Sequence, residues 1–370
     1  MQLLKFELYK IFKQTSAWVT FIIMLGMSYL SLNYPYESKV EREIYQQWEG
    51  PLTEEVLVQA KNEYAALVKK EEQRVSGDEE VIFSDLETMQ LWMYQKIILS
   101  EHVEKENERR LNELKTKNTN SAEMEMKMIE EIRVDDFVHH TGPSQTVAFV
   151  QFGSFLVLGV MLLIGLAPIY SREYATGMDN YLFSSKKGRK PLALAKIWAA
   201  LIYTFLVVVG WESFNFILNY ILHGKGGWET PIQFYTLYMD PAYADSPYAF
   251  TMFEYHLIQL GIHLLAGLSF ALLIVLISSF CKNALITFFL SAAIFIAPEF
   301  LRIVESLQTI LSFSYLQVSR VEFLFNDFKA IDVFGYPILY PVAACIIMVL
   351  LGTVCVLAIL RIINKRELSS

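Results

Sequence analysis

The chain has 370 residues, of which 54% are apolar and only 19% charged, and its mean hydropathy is +0.34. Ordinary soluble domains carry about 25% charged residues, so this composition excludes a disordered chain and argues against a wholly soluble one. A formal net charge of −8 gives no support for a nucleic-acid partner. Cys281, Cys345 and Cys355 all lie in or beside apolar runs, with neither a disulfide framework nor zinc spacing.

A helix of roughly 20 apolar residues crosses a bilayer, and several stretches reach that length. The pattern predicts an all-α polytopic membrane protein. It has six transmembrane helices, an N-terminal amphipathic interface helix and a helical extracellular domain between helices 1 and 2. Residues 1–16 form the interface helix. At 100° per residue Leu3, Leu4, Leu8, Ile11 and Phe12 share one arc, with Lys5, Lys10 and Lys13 opposite. Basic residues are spread through this pattern and no A-x-A site follows, unlike a secretory signal. Leu4, Glu7, Leu8 and Ile11 are the candidate interface residues. Glu7 falls inside the apolar arc; it reads as a first-turn carboxylate favoured by the helix dipole, with a partner contact as the alternative.

Residues 17–33 form a short first span, and residues 34–145 follow it with 14 Lys and Arg against 25 Asp and Glu. Thr53-Glu54-Glu55 opens one helical run. Ser84-x-x-Glu87 is a capping box before a second, to about residue 117, with Leu86, Trp92, Ile97, Leu111 and Leu114 on its buried side. A third helix is expected over 122–136, completing a small antiparallel bundle. His139-His140 at its end lacks a Cys/His set that would complete a metal site.

Span 2 covers 147–170 and a basic loop 171–191. Span 3 covers 192–222, an aromatic-rich loop 223–252 and span 4 residues 253–280. Span 5 covers 285–297 and breaks at Pro298. Residues 298–337 suit a pair of helices dipping into the outer leaflet, before span 6 at 338–363 and a tail at 364–370. The short loops on the side of the termini carry 13 Lys and Arg against four acids. The positive-inside rule therefore puts both termini in the cytoplasm and residues 34–145 outside.

Three polar residues interrupt span 3 on one face: Glu212, Asn215 and Asn219, at i, i+3 and i+7. With Glu299 they are candidates for a translocation path; equally, such groups hydrogen-bond across helices and hold a bundle together. Glu299 and Arg302 are spaced to pair. His256 and His263 lie seven apart, too far for joint chelation, and read as satisfied polar packing. There is no G-x-x-x-x-G-K-[ST], H-E-x-x-H or G-x-S-x-G motif. The chain therefore reads as a non-catalytic subunit with no cofactor of its own.

The loop SREYATGMDNYLFSSKKGRKPLALAKIW, with Glu173, Gly177, Leu182, Pro191 and Lys196 in sequence, resembles the first cytoplasmic loop of ABC-2-type permeases, the membrane subunits of a large class of ABC transporters. Met178 stands where that family usually has Thr, and the Lys/Arg cluster precedes the proline rather than following it. The resemblance extends to the interface helix, the six spans and the large insertion after span 1, as in type V exporter-like domains. It implies a coupling helix in which Glu173, Gly177, Met178, Tyr181, Leu182, Lys186 and Arg189 meet a separate ABC ATP-binding subunit. That partner would hold the ATP and Mg. It further implies a second permease subunit, identical or homologous, a lipid surround and a bacterial cell membrane. The expected cargo is hydrophobic or amphipathic, such as an antimicrobial peptide or a lipid. The alternative is a membrane sensor or receptor whose helical ectodomain binds a ligand without coupling to an ATPase.

Overall fold

The computed structural model describes residues 2–32, 39–76, 84–185, 188–235 and 242–365. The chain is mainly helical. Five helical stretches are long and apolar enough to cross a membrane: Val157–Ala175, Lys190–His223, Met252–Ser278, Ala284–Leu301 and Tyr340–Lys365. Helix α1 (Gln2–Phe12) is followed by α2 (Thr15–Leu32), whose apolar stretch Thr15–Leu30 is shorter than these five.

Between α2 and the next apolar helix lies a bundle of α3 (Lys39–Gln46), α4 (Glu54–Val75), α5 (Asp85–Leu114) and α6 (Asn120–Ile129). A two-stranded antiparallel pair, β1 (Gly50–Pro51) with β2 (Asp136–Phe137), ties its ends. The capping box forms: Ser84 N–H donates to Glu87 Oε2 at 2.8 Å, and Glu87 N–H donates to Ser84 Oγ at 3.3 Å. The stripe α5 buries is Leu91, Met93, Tyr94, Ile97, Ser100 and Val103, with Leu114 at its far end. Leu86 and Trp92, expected on that side, are instead 42% and 41% exposed. The third helix also stops early, at Ile129, because Asp136 is needed to pair with Pro51.

The second apolar segment is helical across the expected 147–170, but irregular. It opens as α7 (Thr141–Ser154), widens into a π-helical turn at Phe155–Met161, resumes as α8 (Leu162–Leu166) and, where Pro168 removes one backbone N–H, continues as α9 (Pro168–Ala175). A π-turn leaves backbone groups in need of partners. Tyr203 Oη donates to the Met161 carbonyl at 3.0 Å, and Gln14 Nε2 donates to the Gly165 carbonyl at 3.1 Å. At the proline two hydroxyls bond the backbone, and Ser171 Oγ donates to the Ala167 carbonyl at 2.8 Å from within the segment. Ser278 Oγ accepts from the backbone N–H of Tyr170 (3.0 Å) and Ser171 (3.1 Å) and donates to the Ala167 carbonyl at 2.9 Å.

A short connection, α10 (Met178–Ser184), leads to α11 (Lys190–His223), which packs against α12 (Met252–Ser278). At the contact Gly267 of α12 faces Thr204 and Val208 of α11, where a Cβ would lie 3.2 Å and 3.6 Å from their methyl groups, and so small a residue lets the backbones approach. Ile217 and, on α17 (Tyr340–Lys365), Val354 and Leu357 point outward and are more than half exposed. That pattern suits a hydrocarbon surround. Helix α13 (Ala284–Leu301) continues one turn past the expected stop at Pro298. A missing N–H so close to a helix end removes little. After it come α14 (Glu305–Leu311), α15 (Tyr315–Ser319) and α16 (Glu322–Phe325), then a hairpin of β3 (Ala330–Val333) and β4 (Tyr336–Leu339). The expected pair of helices over 298–337 is thus three short helices and a hairpin, and the two short strand pairs are the little sheet in a mainly helical chain. The hairpin turns through Phe334 (φ 54°) and Gly335 (φ 85°), the two positive φ values of a type I′ turn.

Two predictions follow from packing. A Cβ on Gly165 would lie 2.4 Å from Tyr203 Oη, whereas nothing lies within 4 Å of one on Gly26. Gly165→Ala is expected to cost about 1–3 kcal/mol and Gly26→Ala almost nothing, compared as thermal unfolding of detergent-solubilised protein. His140, fully buried just before α7, places Nδ1 2.7 Å from the Val138 carbonyl. Desolvation, aided by Lys96, pushes its imidazole down to about 3 from an ordinary 6.5. The unfolded chain thus binds the extra proton between those values, so stability falls as pH drops through that window. A pH series of melting temperatures should show this acid limb flattened in His140→Gln.

Candidate functional site

Lys196 lies in the apolar run of α11 and is wholly buried. An ammonium there persists only with its hydrogen bonds made and its charge matched. All three N–H groups are used. Nζ donates to Glu7 Oε2 at 2.9 Å, to Glu173 Oε1 at 2.8 Å and to the Ile169 carbonyl at 2.6 Å, over the ring of Tyr170 at 4.8 Å. Lys10, one turn after Glu7 on α1, adds contacts of 2.7 Å to Glu7 Oε1 and 2.5 Å to Glu173 Oε1. Burial lowers the Lys10 pKa, but the Glu173 and Glu7 carboxylates outweigh it and the net shift is upward. Two ammonium groups and two carboxylates thus join α1, α9 and α11 into one neutral cluster.

This corrects the reading of Glu7 as a first-turn carboxylate serving the helix dipole. It is 2% exposed and is the charge partner of Lys196. Ile11 is buried on the same side, with Leu4 and Leu8 half-buried against the core. Helix α1 therefore docks on α11 with part of its apolar arc, while Phe6 and Tyr9 are more than half exposed.

Glu173 sits one turn from the end of α9, and the chain then reverses at Gly177, whose φ of +68° lies in the left-handed region. Glycine enters that region without the Cβ penalty. The reversal projects α10. Phe183 is buried at its base, 6.4 Å from the Tyr174 ring; Leu182 is half-buried. Met178 and Tyr181 are 52% and 78% exposed. Arg189, at the start of α11, reaches the Asn364 carbonyl at 3.5 Å. Lys186 lies outside the described residues. The structure thus brings Glu173 and Glu7 together and leaves Met178 and Tyr181 facing outward.

Further along α11, Glu212, Asn215 and Asn219 are all buried on one face. The two amides bond their own helix, Asn215 Nδ2 to the Trp211 carbonyl at 2.9 Å and Asn219 Nδ2 to the Asn215 carbonyl at 3.0 Å. Among the described residues Glu212 Oε2, Asn215 Oδ1 and Asn219 Oδ1 have no hydrogen-bond partner. Only Glu212 reaches across, with Oε1 2.7 Å from His263 Nδ1 on α12. Glu299 is not in this stripe. It accepts from Gln317 Nε2 at 2.6 Å and Arg320 Nη1 at 3.1 Å, while the Arg302 pairing suggested by spacing is its longest contact at 3.9 Å. No group of three or more His, Cys, Asp or Glu side chains able to hold a metal ion occurs among the described residues.

Lys10, His263, Gln317 and Arg320 escaped the sequence reading as site residues, and Lys196 entered only through the loop motif. A usable signal existed for two of them. A Lys and a His deep inside apolar helices each demand a buried partner. No protein-family model matches this chain, and no curated protein or solved structure does either.

Removing one member of a buried ionic cluster leaves the others uncompensated. Lys196→Met is therefore expected to cost about 3–5 kcal/mol. Lys13→Met, outside the cluster, is expected to leave the unfolding midpoint unchanged; equal midpoints for the two variants would show that the cluster holds nothing together.

Proposed function

We propose that this chain is the permease subunit of an ATP-binding cassette transporter. In this reading α2 is a sixth span, both termini are cytoplasmic and residues 34–145 form an extracellular helical domain. The chain works with a second permease subunit and with separate ATP-binding subunits that carry ATP and Mg. Its cargo is a hydrophobic or amphipathic molecule, an antimicrobial peptide or a lipid, moved out of a bacterial cell membrane.

The observation that carries the reading is the mounting of α10. A short helix with exposed Tyr181 and Met178 is fixed through Glu173 to a buried neutral cluster shared with α1 and α11. An aromatic presented in this way is a typical anchor for a partner's pocket. A push on α10 reaches α11 because Glu173 cannot leave Lys196 without stranding a buried charge. The hydrophobic cargo is supported by an apolar cleft between α2 and α11, walled by Phe12, Trp18, Phe21, Met161, Tyr203 and Leu206.

The test is reconstitution with a candidate ABC ATP-binding subunit from the same organism. Glu173→Lys, or disruption of residues 177–182, should abolish transport-coupled ATP turnover while membrane insertion stays normal. Tyr181→Glu should weaken co-purification of the ATPase. Undiminished coupling in all three would end the proposal, and a chain that captures no ATPase at all would favour the sensor.

A further inference from the structure

The second buried ionisable cluster lies away from α10. His263 on α12 uses both ring nitrogens: Nδ1 stands 2.7 Å from Glu212 Oε1, and Nε2 stands 2.9 Å from the carbonyl oxygen of Ser319, the last residue of α15. Glu212 and His263 are each 2% exposed and Ser319 is fully buried. A carbonyl oxygen only accepts, so Nε2 carries a hydrogen. A lone-pair nitrogen and a carboxylate oxygen do not approach to hydrogen-bond distance unless a proton lies between them. One proton therefore occupies the Nδ1–Oε1 contact. Written as imidazolium with carboxylate, or as imidazole with carboxylic acid, the pair contains the same number of protons and is neutral as a unit. Neutrality is what a buried position in an apolar span demands.

We propose that Glu212 and His263 form a proton-binding site, holding one exchangeable proton between them, whose occupancy latches α15 to α12. The inference rests on side-chain geometry and not on the permease reading.

The latch follows from counting hydrogens. When the shared proton leaves to water or hydroxide, one ring hydrogen remains for two acceptors. The ionised Glu212 carboxylate is the stronger acceptor. Through exchange with the same base the ring hydrogen passes from Nε2 to Nδ1, and Nε2 then turns a lone pair toward the Ser319 carbonyl. Ser319 keeps only the hydroxyl of Ser154 on α7, at 3.2 Å. The charged and titratable groups around the pair are few. His256 lies two turns earlier on α12 and interacts electrostatically with both members. Beyond Ser319 stands Arg320, paired with Glu299 of α13, with Arg302 at the longer contact. On α7 the neutral Ser154 bonds Ser319, and on α11 the neutral Asn215 lies one turn beyond Glu212. Residues of α15 are otherwise seated by apolar burial of Leu316 and Val318 and by Gln317 on Glu299, so the His263 bond is the part of the seat that a proton controls.

The test uses the full chain in lipid nanodiscs with nitrogen-15-labelled histidine. The His263 signals are isolated by subtracting the His263→Asn spectrum, with His263→Gln as the substitute if that variant does not fold. At neutral pH Nε2 should be protonated and Nδ1 should show a shared proton. In Glu212→Gln, whose amide donates to Nδ1, that nitrogen should be a plain acceptor at the same neutral pH. Amide hydrogen exchange across residues 315–319 should rise on the order of tenfold in the His263 variant, the worth of one hydrogen bond, and stay at the wild-type level in Glu212→Gln. An unprotonated Nε2 at neutral pH would overturn the proposal. So would an Nδ1 signal unmoved by Glu212→Gln, or exchange at 315–319 that is indifferent to residue 263.

Discussion

The cost of holding an ammonium group in an apolar interior organises this molecule. Lys196 cannot be buried on α11 unless a carboxylate comes to it, and two do, from helices remote in sequence. Glu7 brings α1 against the bundle and Glu173 brings α9. The cluster is neutral only when complete, so its members behave as one joint between three helices. Buried charge does not add stability over a well-packed apolar core. What it supplies is a penalty for every arrangement in which one partner has moved.

The same logic recurs at the Glu212–His263 pair, where neutrality is kept by a proton instead of a second amino acid. The two sites differ in how their balance can be changed. At Lys196 displacing a helix upsets it, because each carboxylate is carried by a different helix. At His263 it can be upset by removing a proton, with the helices still in place. Displacement suits a site that transmits motion, and proton loss suits one that responds to surroundings.

Much of this was legible in the sequence where it depended on local order. The Ser84–Glu87 cap, the long apolar helices and the shared face of Glu212, Asn215 and Asn219 all come from spacings within one helix. Gly177 was read as part of the coupling helix, whereas it is the left-handed residue that precedes α10. What periodicity reveals is a face, not the neighbour that meets it. His263 is 51 residues from Glu212, and neither helix announces the other. Glu7 was misread for the same reason: a dipole is a local effect, whereas Lys196 is 189 positions away. The π-turn at Phe155–Met161 was invisible because an unbroken apolar run holds no residue that marks it. Pro168 was visible, but what satisfies the break was not.

Part of that satisfaction is local, from Ser171 to the Ala167 carbonyl, and part comes from another helix. Because Ser278 supplies both an acceptor and a donor to the interrupted backbone around Pro168, the crease in that segment is also held by a different helix. A tilt of α9 is for this reason also a tilt of α12. From Ser278 back to His263 is about 22 Å along the helix at 1.5 Å per residue. The crease and the far pair are two ends of one stiff rod, and leverage applied at the first arrives at the second.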